Sequence, residues 1–249
     1  MLEFWIGAAG GLLIGSTGVG LGLIVTPLLI VAGYAPAVAV GTGLGVLVVS
    51  KLFGAIVHDR LGHWPGRDMW ILLAGGVAGV AVAWVLASTV ARHGPIELDV
   101  WRKRALAAVL FVAAVALIKT DSPQGRRLVA GAKSRPLLLP VGLGVGVLQA
   151  FTSAGSGSLL TPILASITDW KVPQLAAVSN LFGALVGALS VGLYFRLGHF
   201  DTHLFGRVLL GLLPGVVGGS LLSRSISRHW FVRGIAALTA AVGVRLLFA

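Results

Sequence analysis

Two segments of this sequence carry glycines, hydroxyl side chains and a Thr-Pro pair in the same order. The first segment holds Gly18, Gly20, Gly22 and Thr26-Pro27, and the second holds Gly155, Gly157 and Thr161-Pro162. Glycine weakens a helix and lets the backbone approach a ligand closely, whereas Thr-Pro is typical of a helix start with Thr as the N-cap. Each segment therefore predicts a broken helix, in which a bend is followed by a half-helix. A single kinked helix is the alternative.

The start of such a half-helix is a candidate anion site. It exposes unpaired backbone N–H groups, predicted here for the residues that follow each proline, such as Leu28 and Ile163. It also carries roughly half a positive charge, so two facing starts would offset about one negative charge. Hydroxyl groups cluster around both bends and can donate to a small oxyanion, although Ser and Thr also serve helix packing.

Lys51 is the one formally charged residue that lies well inside an apolar run. A cation inside a membrane is a functional candidate, and the alternative is a side chain that reaches the interface.

All eight acidic residues fall at or outside the run ends, which favours an anionic or neutral substrate. His58 is the nearest candidate for proton coupling. The predicted substrate-binding residues are Gly20, Gly22, Thr26, Thr42, Lys51, Ser153, Gly155, Ser156, Gly157, Thr161 and Asn180.

The composition is that of a membrane protein. Of 249 residues, 57% are hydrophobic and 11% are charged, whereas soluble domains contain about 25% charged residues. Apolar runs, for which about 20 residues cross a bilayer, fall near 4–32, 36–57, 70–91, 105–118, 137–168, 173–195, 204–222 and 231–248. We therefore expect an all-α, polytopic helical bundle that is integral to the membrane.

The matched bends belong to a longer internal repeat. Ala-Val-Gly-Thr at 39–42 matches Ala-Val-Ser-Asn at 177–180, and Arg-Leu-Gly-His at 60–63 recurs at 196–199. The spacing between matched positions stays nearly constant, which is typical of a duplicated unit rather than of shared membrane composition.

The repeat predicts two tandem homologous halves at 1–122 and 136–249, joined by a basic linker at 123–135. If each broken first helix turns back as a re-entrant hairpin, each half crosses the membrane three times and the repeats are inverted. If it crosses the membrane, each half has four crossings and the repeats are parallel. We expect inverted repeats, as in secondary transporters whose discontinuous helices meet at the bilayer midplane.

These features together resemble the TauE/SafE family of sulfite exporters and anion permeases. The resemblance rests on the Gly-rich bend followed by Thr-Pro in both halves, on 39–42, and on Gly54-Ala-Ile-x-His58 leading to Arg60-Leu-Gly62. It implies a multi-pass transporter of sulfite or a related organosulfur anion in the plasma (inner) membrane of a prokaryote. We expect alternating access, with the substrate bound between the two repeats near the midplane.

Other classes of function are disfavoured by the sequence. The net charge of +11 comes from Lys and Arg in short connectors, which fits lipid phosphates and the positive-inside rule better than nucleic acid. The spaced glycines lack the βαβ context of a nucleotide loop, and Ser156 with His199 follows the repeat rather than a protease dyad. We expect no enzyme, cofactor or metal site. An anion channel and a non-transporting scaffold or partner subunit remain alternatives, and a homo-oligomer is left open.

Overall fold

The computed structural model describes residues 1–17, 21–91, 100, 104, 107–108, 110–112, 135–222, 241 and 243–245. All but the last residue of the predicted linker at 123–135, and most of the apolar runs near 105–118 and 231–248, lie outside the described residues. The helices are α1 (Leu2–Thr17), α2 (Val25–Val31), α3 (Pro36–Arg60), α4 (Asp68–Ala91), α5 (Arg135–Thr152), α6 (Thr161–Ile167), α7 (Val172–Arg196) and α8 (Thr202–Leu222). A 3-10 turn at Leu21–Leu23 precedes α2, and a π-helical segment at Ser156–Leu160 precedes α6.

Five of the described helices are long and apolar enough to cross a membrane, namely α3, α4, α5, α7 and α8. Their outward faces carry large apolar side chains, such as Phe53, Val85 and Leu210, as expected for surfaces that meet lipid rather than water. Helical secondary structure satisfies every backbone polar group within a segment, which a chain in hydrocarbon requires. The protein is therefore a multi-pass helical membrane protein, as its composition predicts.

Glycine-lined contacts join α1 to α8 and α4 to α5. A methyl group on Gly7 or Gly11 of α1 would overlap the carbonyl of Val208 or Leu212 of α8. Matching overlaps on the other pair involve Gly75 and Gly79 of α4 with the carbonyls of Leu139 and Leu143 of α5. Residue numbers rise together along both interfaces, so each pair is parallel. Small residues four positions apart let helix backbones approach closely in membranes.

Polar contacts place the starts of these paired helices side by side. Nε of Arg135 donates to the Asp68 carboxylate at 2.8 Å, where α5 and α4 begin. The Arg207 guanidinium lies 3.9 Å from the Glu3 carboxylate, where α8 and α1 begin. A cavity of about 410 Å³ opens at this second end and is lined by Glu3, Tyr34, Asp201, His203, Leu204 and Arg207.

The segment after α2 returns to the start of α1. The Tyr34 hydroxyl, three residues past the end of α2, donates to the Glu3 carboxylate at 2.7 Å. This bond and one from the N-terminal ammonium lower the pKa of Glu3, which lies outside the five candidate spans, to about 2. Ile6 of α1 and Leu29 of α2 also share one apolar cluster. The end of α2 therefore lies close to the start of α1 in the described residues.

Helices α3 and α7 pack against each other in opposite directions at the centre. A methyl group on Gly54 of α3 would overlap the Asn180 side chain of α7, and one on Gly187 of α7 would lie 2.8 Å from Val48. Residue numbers fall on one helix as they rise on the other, so the pair is antiparallel. We call residues 21–24, before α2, the first break and residues 153–155, between α5 and the π-helical segment, the second break. Helices α3 and α7 form a wall against which both breaks rest.

The predicted N-caps are wrong. Helix α2 begins at Val25 after Ile24, and the Thr26 hydroxyl makes no cap hydrogen bond. The N–H of Leu28 is not free, because it donates to the Ile24 carbonyl at 3.1 Å. In the second segment the π-helical turn runs directly into α6, which places Thr161 inside a continuous helix rather than at its start. The backbone begins each helix earlier than the Thr-Pro pair indicates.

Candidate functional site

The two helix breaks touch each other at the centre of the protein. A methyl group on Gly22 would overlap the backbone of Ser153 and Ala154, so the chains approach there without a side chain between them. The Thr26 and Ser153 hydroxyls share a short hydrogen bond, and both side chains are fully buried. The Thr26 hydroxyl therefore joins the two breaks, and it does not cap α2, which begins one residue earlier at Val25.

Helix α3 supplies the surface on which this contact sits. A methyl group on Gly43 would overlap the Thr26 hydroxyl and would lie 3.0 Å from the Ser153 hydroxyl. The neighbouring Thr42 is fully buried, and its hydroxyl oxygen has no hydrogen-bond partner among the described residues. A buried hydroxyl without a partner costs about 1–3 kcal/mol. Its presence here is typical of a position that a ligand completes.

The second break uses two unusual backbone conformations. Ser153 adopts φ 58° and Gly155 adopts φ 142°, and the latter is strongly disfavoured for residues with a side chain. Gly155 then precedes the continuous helix Ser156–Ile167. Its carbonyl accepts the N–H groups of Leu159 and Leu160. The N–H groups of Ser156, Gly157 and Ser158 are therefore the unpaired donors of this helix start.

Buried hydroxyl groups accompany this helix start. The side-chain oxygens of Ser156 and Ser158 have no hydrogen-bond partner among the described residues. The Ser179 hydroxyl of α7 donates to the Ser156 carbonyl and anchors the turn. Hydroxyl donors, backbone N–H groups and the positive end of a helix all favour a negatively charged ligand.

Helix α7 meets this start at Gly183. A methyl group on Gly183 would lie 2.7 Å from the Ser156 hydroxyl and 3.1 Å from Cγ of Lys51. The amide nitrogen of Gln149, from α5, donates to the Gly183 carbonyl at 3.1 Å. Three helices and the second break therefore bring Ser156, Lys51 and Gln149 to one glycine.

Lys51 reaches across from α3 to α7. Its ammonium donates to the Asn180 side-chain oxygen at 3.0 Å. No carboxylate in the described part of the chain forms an ion pair with it. The ammonium remains a formal positive charge with a neutral partner.

His58 lies two turns beyond Lys51, at the end of α3. Its Nδ1 atom and the Nδ1 atom of His63 are 2.9 Å apart. One of the two nitrogens must donate and the other accept, so this hydrogen bond exists only while at least one Nδ1 carries no proton. Asp59, on the same turn, accepts a hydrogen bond from the Trp64 indole at 2.8 Å.

The structure divides the predicted site residues into groups. Gly22, Thr26 and Ser153 meet at the contact between the breaks, beside Thr42. Lys51, Ser156 and Asn180 meet around Gly183, and Gly155 begins the adjoining helix. Gly157 lies on that helix, and Thr161 is half-buried further along it. His58 lies away from these groups, and Gly20 falls outside the described residues.

Gly43, Gly183, Ser158 and Gln149 are site neighbours that the predicted set omits. Small residues within apolar helices indicate close helix approach, which is a signal for the two glycines, but the partner of each cannot be read from one sequence. Gln149 is a fully buried amide one turn before the second break. Its place just before the second bend already indicates in the sequence that it could face the site.

Polar groups buried at discontinuous helices of a multi-pass membrane protein are typical of transport proteins. The chain belongs to the family described as "Sulfite exporter TauE/SafE", which matches residues 4–246. It is 30% identical over 244 residues to the "Probable membrane transporter protein YjnA" of Bacillus subtilis (strain 168), covering 95% of each chain. Both descriptions indicate a membrane transporter rather than an enzyme.

A shorter similarity links the chain to a "Peroxisomal bifunctional enzyme" of Cavia porcellus. It has 39% identity over 77 residues and covers 30% of this chain and 10% of that protein. No solved structure is significantly similar to the chain.

Proposed function

We propose that the protein is a secondary transporter that exports sulfite, or a related small sulfur oxyanion or organosulfonate, by alternating access. The family description names sulfite export, and the Bacillus relative is named as a probable membrane transporter. A prokaryotic plasma (inner) membrane is the corresponding location. The small anion and the lipid bilayer are then its partners.

The proposed architecture is a pair of inverted repeats, each with a re-entrant first hairpin. Helices α2 and α6 both have 7 residues, and α3 and α7 both have 25. The Tyr34–Glu3 contact supports a first hairpin that returns to its own side. Helix α3 then leads away from that side, and α5 begins beside Asp68 at the far end. Starts at opposite ends are what an inverted repeat requires.

The proposed substrate site lies between the two breaks and the α3–α7 wall. The observation that carries it is that the buried hydroxyls of Thr42, Ser156 and Ser158 have no partner among the described residues. Thr42 lies on α3 beside the contact between the breaks, and Ser156 lies at the helix start near the Gly183 that Lys51 also contacts. An oxyanion would accept hydrogen bonds from these hydroxyls and from the N–H groups after Gly155. Lys51 would supply charge at the edge of the site, as no acidic side chain lies within an apolar run.

The proposed proton-coupling residue is His58. Its hydrogen bond to His63 supports this role, because protonating both rings must break the bond. Histidine is the side chain whose ordinary pKa falls near neutral pH. A transport cycle that carries a proton with or against the anion would use such a group near one face of the membrane.

Sulfite efflux from proteoliposomes tests the transport proposal. Purified protein should release sulfite with saturable kinetics and with counterflow, measured beside sulfate, thiosulfate, a short sulfonate and chloride. Ser156→Ala should raise the half-saturation concentration about tenfold or more, since it removes a hydrogen bond to a charged ligand. Ser88→Ala on the exposed face of α4 is the matched control.

Three outcomes of this assay would contradict the proposal. Flux that neither saturates nor shows counterflow would favour an anion channel. Absence of flux for every anion, from protein shown to be folded, would favour a scaffold or partner subunit. Unchanged kinetics in both Thr26→Ala and Ser156→Ala would place the substrate elsewhere.

A further inference from the structure

Gln149 holds its amide in a single orientation inside the protein. The residue lies in the last turn of α5 and is fully buried. Its Nε2 atom lies 3.1 Å from the carbonyl oxygen of Gly183. A carbonyl accepts hydrogen bonds and never donates them, so the nitrogen must face Gly183 and the oxygen must face away.

The outward oxygen of this amide has no partner. Oε1 of Gln149 is inaccessible to solvent, and no donor of the described residues lies within hydrogen-bond distance of it. The Ser156 hydroxyl, which also lacks a partner, faces the same Gly183. An orphan acceptor and an orphan donor therefore flank one glycine, beside the second helix break. Buried polar groups are almost always paired in native proteins, so the two together indicate a ligand.

Among the described residues, Lys51 is the one formal charge that the structure places at this glycine. The stem of Lys51 packs at Gly183, and its ammonium bonds the neutral Asn180 side chain. The helix start at Ser156 adds roughly half a charge. This total suits a singly charged anion better than a dianion, and the Gln149 carbonyl adds a partial negative charge that repels a ligand without donors.

We infer that Gln149 makes this site select a singly charged oxyanion that carries its own donor hydrogen. Among sulfur oxyanions this is hydrogen sulfite, HO–SO₂⁻, rather than the sulfite or sulfate dianion. Oε1 accepts the ligand O–H, while Ser156 and the helix-start N–H groups donate to the remaining oxygens. The inference rests on the proposed transport function and gives the Gln149 carbonyl the role of a specificity-determining group.

Two probes of equal charge and similar shape separate the need for a hydrogen-bond donor on the ligand from the effects of charge and size. Sulfamate, H₂N–SO₃⁻, presents N–H donors, and methanesulfonate, CH₃–SO₃⁻, presents a methyl group in the same place. Binding of each, and of sulfate, is measured by titration calorimetry on the purified full chain in lipid nanodiscs. The wild-type protein should bind sulfamate about tenfold or more tightly than methanesulfonate, because methanesulfonate leaves Oε1 buried and unpaired. Sulfate should bind most weakly.

Gln149→Met tests the residue itself. Methionine keeps the length of the side chain and removes the acceptor, so the ratio of the two affinities should fall to about one. Gln174→Met is the matched control. Gln174 lies at the start of α7, where its side-chain oxygen accepts the N–H of Lys171, and its replacement should leave the ratio unchanged.

The wild-type comparison decides the inference even if Gln149→Met does not fold. Equal wild-type affinities for sulfamate and methanesulfonate, or a preference that persists in a folded Gln149→Met protein, would overturn the role of Gln149. In that case saturable sulfite efflux would still support the transport proposal. Absence of both binding and sulfite flux would overturn the two together.

Discussion

Helices α3 and α7 share a backbone and differ in their chemistry. Each has 25 residues and ends at Arg-Leu-Gly-His, with the glycine at φ +66° in Gly62 and +71° in Gly198. The N–H of His63 bonds the His58 carbonyl, and the N–H of His199 bonds the Tyr194 carbonyl in the same way. The two helix ends are therefore nearly identical in local structure.

The side chains at matched positions do different things. Counting back from the shared ends, Tyr194 stands where α3 has His58, and Gly187 stands where α3 has Lys51. Tyr194 donates to the Ala150 carbonyl and so holds α7 against α5. His58 instead bonds another titratable ring. Helix α3 therefore carries a cationic and a titratable side chain, whereas α7 presents glycines and the Asn180 amide at the same contact.

Gly43→Ala should have the largest effect on stability and on transport, because it pushes α3 away from both breaks. The added methyl group overlaps the Thr26 hydroxyl, and overpacking typically costs about 1–3 kcal/mol. We expect a lower unfolding temperature, followed by Trp fluorescence, and at least about tenfold slower sulfite flux. Gly192→Ala on α7, where a methyl group meets no atom within 4 Å, should change neither. Wild-type behaviour of Gly43→Ala would remove α3 from the site.

Lys51→Met should lower transport without lowering stability. The variant keeps the apolar stem that packs at Gly183 and removes a charge that is costly within a membrane. Sulfite flux should fall about tenfold while the unfolding temperature stays the same or rises. The matched control is Leu189→Met on α7, a position that is 43% exposed. Equal flux in Lys51→Met and Leu189→Met would show that the cation of α3 does not serve the anion.

Replacement of the histidine pair should have the smallest effect, confined to the pH dependence. His58→Gln and His63→Gln each remove the bond that double protonation breaks. We expect flux of sulfamate, whose charge does not change near neutral pH, to lose its wild-type pH dependence in both variants, while the maximal rate changes by about twofold or less. His199→Gln, at the end of α7, should keep the wild-type profile. A pH profile shared by all four proteins would exclude the pair from coupling.

The sequence predicts the class of fold well because its signal is compositional. Long apolar runs with few charges leave helices as the structure for the described spans, and α3 and α7 follow the predicted runs at 36–57 and 173–195 closely. The Thr-Pro pairs correctly mark the vicinity of helix starts. They mislead about the cap because each helix begins before its Thr-Pro pair. The Thr26 hydroxyl instead bonds Ser153, which lies 127 residues away, a contact that no local rule can anticipate.

The candidate site is predictable in its residue types and not in its partners. Lys51 stands out in the sequence as an unpaired cation, yet its contact with Asn180 joins two helices through tertiary packing. Gln149 is a candidate because its side-chain oxygen has no hydrogen-bond partner among the described residues, which only the three-dimensional structure can show. The pairing of α1 with α8 is equally hidden, since glycine spacing marks a contact surface without naming the opposite helix.

The α1–α8 interface also constrains how the protein is made. Helix α1 ends at Thr17, but the helix that covers its glycine face begins at Thr202 and ends at Leu222. At synthesis rates of about 5–20 residues per second, α1 waits roughly 10–40 s for this partner. During that interval the glycine face of α1 lacks its final cover. Helix α1 precedes every other described helix in the sequence and is thus among the last of them to reach its final neighbour.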